Sequence, residues 1–150
     1  MTACHQFARA ADKIATTGAG PRQFLLLLGK NAAGIGLGPR GYVDLLRGGS
    51  NRIRGHGIRP QYHDGTDGQI RHFAGIATTA ARLGPGLTRW LSIHVRHDAA
   101  HTPDGQLTDL ALDFVRALRN KSLSPGGAAS WIEHHLCEPV ATHDRDVGKA

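Results

Sequence analysis

Glycine and proline cut this chain into stretches that are each long enough for one helix and little more. The sharpest breaks are Gly18-Ala19-Gly20-Pro21, Gly84-Pro85, Thr102-Pro103 and Glu138-Pro139. Proline lacks the amide donor and clashes with the preceding turn, and glycine loses the most backbone entropy on ordering, so helices stop at such pairs. Between the breaks, apolar residues recur at helical spacing. Residues 2–17 carry Phe7, Ala8, Ala11, Ile14 and Ala15 on one face. Residues 69–83 carry Ile70, Phe73, Ala77, Ala80 and Ala81, with Asp67 expected as N-cap. Residues 87–100 carry Leu87, Trp90, Leu91 and Val95. The clearest amphipathic segment is 106–120, where Leu107, Leu110, Ala111, Phe114 and Leu118 face one way. Thr102-Pro103-Asp104 supplies its cap, with proline in the first turn. Ser130 and Glu133 stand at capping-box spacing at the start of a last helix over 130–137.

Two regions are less regular. Residues 23–28 are short and almost uniformly apolar, so periodicity does not separate strand from buried helix. Residues 47–68 are rich in glycine and basic side chains, and the alternation around Ile53 and Ile58 predicts a short hairpin within 51–59. A short helix is expected over 42–46. The expected fold is therefore all-α: one domain over 1–140 of five or six helices, with the irregular Gly-rich basic segment over one side. Residues 141–150 are expected to form a flexible polar tail. A chain of 150 residues has room for one sizeable core.

The net charge is +6 with ten neutral histidines in reserve, a balance that favours anionic partners such as nucleic acid, phosphorylated small molecules or an acidic protein. Cys4 and Cys137 lie near opposite ends and form no Cys-x-x-Cys pair, so two separate thiols are expected, with one long-range bridge as the alternative. No apolar run reaches the ~18 residues of a membrane helix, and His5 and Gln6 stand where a signal peptide would place its apolar stretch. A cytoplasmic location is the default expectation, with export as an effector left open.

Three constellations could carry chemistry. The first is the loop-to-helix junction around His63, Asp64, Asp67, Gln69, Arg71 and His72. A helix N-terminus favours anions. Here His72 would move a proton, Gln69, His63 and a nearby aspartate would assist, and Arg71 would hold a phosphate or carboxylate. The second is His94-x-x-His97-Asp98-x-x-His101, whose histidines share one helix face and offer imidazoles to zinc or another divalent transition metal. The third is the basic loop of Arg52, Arg54 and Arg59 beside Tyr62, which could follow a phosphate backbone or grip an acidic partner. Gly36-x-Gly38-x-x-Gly41 matches a dinucleotide fingerprint by letter only, because Pro39 interrupts it and no βαβ pattern surrounds it.

The string Gln69-Ile70-Arg71-His72-Phe73, after an acidic glycine-containing turn, resembles a segment of uncharacterised bacterial proteins, some of them toxin-like C-terminal modules. The resemblance covers residues 62–76. It implies that Gln69, Arg71 and His72 act as a group, and it carries no activity with it. The leading expectation is a small enzyme or effector acting on an anionic substrate, such as a phosphodiester, through a His72-centred site. A non-catalytic basic binding module and a His-ligated metal protein are the alternatives.

Overall fold

The computed structural model describes residues 1–94 and 101–140. Among them are seven α-helices, more than the five or six expected: α1 (Ala3–Ala15), α2 (Pro21–Ala33), α3 (Arg40–Leu46), α4 (Gln69–Leu83), α5 (Pro85–His94), α6 (Pro103–Arg119) and α7 (Ala128–His135). The extra helix is α2. Pro21, read from sequence as a stop, occupies its first turn, where the missing N–H costs nothing. Phe24, Leu25, Leu26 and Leu28 are buried around most of its circumference, which is why no amphipathic period marks it. The polar tail expected over 141–150 lies outside the described residues.

The core is organised by aromatic rings. All four phenylalanines are fully buried. Phe73 meets Phe7 edge-on at 5.7 Å and Phe114 at 5.5 Å, and Trp131 packs 5.0 Å from Phe114. These residues come from α1, α4, α6 and α7, so a single cluster joins the first helix to the last. Close approach of α2 and α4 depends on Gly29: a Cβ there would sit 1.8 Å from Thr78 Oγ1. The Thr78 hydroxyl donates across that contact to the Leu25 carbonyl at 3.2 Å.

Cys4 and Cys137 are joined by a disulfide, with Cα atoms 5.5 Å apart. The expectation of two separate thiols is therefore corrected. The cysteines meet because residues 56–59 act as a strap between the first and last elements. Ala3 N–H donates to the His56 carbonyl at 3.1 Å, Arg59 N–H to Leu136 at 2.9 Å, and Glu138 N–H to Gly57 at 2.8 Å. No hairpin forms within 51–59. Ile58 instead makes one isolated antiparallel bridge to Cys137, because the buried Ile58 side chain belongs to the core between chain ends. The N-cap of α4 is Gly68 rather than Asp67. Likewise α7 starts at Ala128, upstream of the expected Ser130, and follows a 3-10 turn capped by Ser124. The Thr102 cap of α6 is as expected: its hydroxyl accepts from Gly105 N–H at 3.1 Å. Among the described residues no helix is long and apolar enough to cross a membrane.

Candidate active site

The turn before α4 is locked by one carboxylate. Asp64 Oδ1 accepts from the Thr66 N–H at 2.9 Å, from the Thr66 hydroxyl at 2.6 Å and from the Gln69 side-chain amide at 2.9 Å. The same Gln69 amide also donates to the Thr66 carbonyl at 2.7 Å, and Gln69 is buried. Burial pushes the Asp64 carboxyl upward. The hydrogen bonds it shares with the Thr66 hydroxyl, the Thr66 N–H and the Asp104 side chain more than offset that, so Asp64 ionises below the ordinary carboxylate range. This network spends Gln69 on shaping the turn, where the sequence suggested a direct role at the site.

One turn into α4, His72 Nε2 lies 2.8 Å from the Thr108 hydroxyl of α6. Thr108 Oγ1 is in turn 3.4 Å from Ser92 Oγ on α5. A polar chain thus crosses three helices, with Thr108 and Ser92 both buried. His72 and Arg71 both line one small cavity of about 40 Å³, together with Ile35, Leu45, Gly48, Gly75 and Thr79. A half-buried imidazole hydrogen-bonded to a hydroxyl, in a cavity that an arginine also lines, can move a proton next to a bound anion. The positive end of α4 adds to the field that favours that anion.

A larger groove of about 500 Å³ adjoins this cavity, and Leu45, Gly48 and Thr79 line both. One wall is α3, with Tyr42, Leu45 and Leu46; the other includes Leu83 and Leu91. Arg82 holds α3 in place. Its Nη2 donates to the carbonyls of Gly36, Leu37 and Gly38 at 2.8, 3.1 and 3.3 Å, and its guanidinium lies 4.8 Å from the centre of the Tyr42 ring. Gly41 permits this approach, since a Cβ there would stand 2.2 Å from the Gly36 carbonyl oxygen.

The remaining sequence-predicted residues are placed elsewhere. His63 Nε2 is 2.9 Å from the Ile58 carbonyl, and its side chain lines neither cavity. Arg59 is tied to the His134 carbonyl of α7 and Arg52 to the Ser50 hydroxyl, while Arg54 is exposed. Arg59 and Arg52 therefore serve different neighbours. His94 stacks on Trp90 at 4.8 Å and bonds the Trp90 carbonyl, and His101 is exposed ahead of α6. His97 lies outside the described residues. Among the described residues no three His, Cys, Asp or Glu side chains are grouped to hold a metal ion.

Sequence reasoning missed Thr108, Ser92 and Asp104. A signal for Thr108 existed: it shares an apolar face with Ala111, Leu112 and Val115, and a hydroxyl on a buried face needs a partner. No family model matches the chain, and comparison with curated proteins and with solved structures finds no match.

Proposed function

We propose that this protein is a small hydrolase-like enzyme whose His72 exchanges protons with an anionic ester, a phosphodiester in the leading reading, held by Arg71. The observation that carries this reading is the shared cavity: His72 and Arg71 are adjacent in it, and Thr108 fixes the imidazole from across the α4–α6 seam. In the reaction, His72 takes a proton from water as the water oxygen bonds to phosphorus. The bond to the leaving alcohol breaks, and the proton returns from His72 to the leaving oxygen. Arg71 offsets the negative charge that gathers on the phosphoryl oxygens. Asp64 and Gln69 act as positioning residues by fixing the turn that presents the first turn of α4. The Cys4–Cys137 bridge supports work in an oxidising compartment, and hence export, over the cytoplasm.

The test is turnover of bis(p-nitrophenyl) phosphate. His72→Gln is expected to lower kcat by about 100-fold or more, while Arg71→Ala raises KM by about tenfold with a smaller effect on kcat. Thr108→Val is expected to reduce kcat and shift the pH profile without changing KM, as a positioning residue should. Wild-type turnover in both His72→Gln and Arg71→Ala would overturn the reading.

A further inference from the structure

The groove beside His72 has no role in holding a simple phosphodiester, and its lining is unlike that of a hydrated cleft. Its walls are Tyr42, Leu45, Leu46, Leu83 and Leu91, and its floor contains Ile76, Thr79 and Thr88. The two threonine hydroxyls are already spent on backbone carbonyls one turn back: Thr79 donates to Gly75 and Thr88 to Gly84, each at 2.7 Å. A floor whose donors are internally satisfied can lose water to an apolar occupant without leaving a buried donor unpaired. At about 500 Å³ the space lies within the ~300–1,000 Å³ typical of small-molecule sites. It is open to solvent beside Leu46, which is 89% exposed.

Two arginines border this apolar surface. Arg47 lines the groove, and Arg71 lines the small cavity that continues from it past Leu45, Gly48 and Thr79. Neither guanidinium has a carboxylate within 4 Å among the described residues. An anionic head with a flexible apolar chain matches this layout, because the head reaches a guanidinium while the chain covers the leucines.

We infer that the substrate is a single-chain anionic amphiphile, its phosphate-type head beside Arg71 and His72 and its alkyl or acyl chain in the groove between α3 and α5. This rests on the His72 reading for the reaction, but the groove makes a separate claim about binding. Chain binding fixes where the head lies relative to His72, so a short-chain ester would be turned over less well than a long-chain one.

Binding of a series of alkyl phosphates from butyl to decyl, each below its micelle threshold, tests it by calorimetry on the oxidised full chain. Each buried methylene tightens binding by up to about fourfold, so decyl phosphate is expected to bind at least a hundredfold more tightly than butyl phosphate. Leu46→Asp and Leu83→Asp alter exposed side chains, and each is expected to cut the decyl-to-butyl ratio at least tenfold while butyl phosphate binding persists. Arg71→Ala should weaken the whole series. His72→Gln alters the head site and should shift the whole series uniformly with the chain-length ladder kept, and a wild-type protein that shows the ladder without turnover retires the acid/base reading and keeps this one. A flat series, a ladder untouched by both aspartate variants, or equal binding of neutral decyl maltoside would overturn it. So would capture by anionic vesicles with no binding of monomeric decyl phosphate, which would make the exposed leucines a membrane-facing surface.

Discussion

Reducing the Cys4–Cys137 bridge is expected to remove much of this protein's stability. The bridge closes a loop with a sequence separation of 133. In the chain-entropy description a cross-link restricts the unfolded ensemble in proportion to the logarithm of loop length, and for this loop that amounts to about 5 kcal/mol at 25 °C. Domains of this size have about 5–15 kcal/mol in total. Reduction is the cleaner perturbation, because both sulfur atoms stay in the core and only the bond between them is lost. With a urea slope of about 2 kcal/mol/M, the unfolding midpoint should fall by roughly 2–3 M. The assay is urea unfolding followed by the fluorescence of Trp90 and Trp131, with and without reductant, and thiol titration to verify two free cysteines. Midpoints within about 0.5 M of each other, with both thiols free, would refute the reasoning. That result would mean the strap of residues 56–59 holds the ends together on its own.

Three further outcomes follow from the packing and charge. Gly29→Ala should destabilise by about 1–3 kcal/mol in urea unfolding through overpacking against Thr78, and Thr78→Ala should recover part of that loss despite removing the bond to Leu25. Arg82→Ala should lower stability by about 2 kcal/mol, from charge-assisted bonds to three carbonyls and the Tyr42 ring, and should raise hydrogen exchange in α3 before α6. Because the Asp64 carboxyl ionises more readily folded than unfolded, its contribution is present above the unfolded value near 3.8 and is lost as pH falls through the lower folded value. Wild-type stability should therefore decline below about pH 4 more steeply than that of Asp64→Asn, as read from urea midpoints between pH 2.5 and 5.

The sequence made some elements legible and hid others for identifiable reasons. The bounds of α4 and the Thr102 cap of α6 were readable because periodicity and capping are local properties. The α2 helix was not: Pro21 can end one helix or begin the next, and an apolar run buried around most of its circumference shows no clear stripe. The junction residues Asp64, Gln69, Arg71 and His72 are close in sequence, so their concentration was visible before any fold was known. Their division of labour was not, because Asp64 and Gln69 turn toward the loop while His72 turns toward α6. Thr108 lies 36 residues beyond His72, and a threonine in a helix is too common to announce such a partner. The groove was hidden for the same reason: α3 contributes two leucines and α4 and α5 one each, and only their assembly makes a surface.

The pairing of α1 with α7 has a consequence for how the chain is made. The first helix emerges from synthesis with Phe7, Ala8 and Ala11 exposed, and the surface that covers much of it belongs to the last helix. Until α7 has been produced, the N-terminal segment has no permanent partner on that side, and Cys4 has no sulfur to meet. Such long-range closure slows folding relative to a bundle of neighbouring hairpins. Formation of this fold is therefore tied to synthesis of α7, and nascent forms that stop short of it remain loose enough to be threaded, held by a chaperone or degraded.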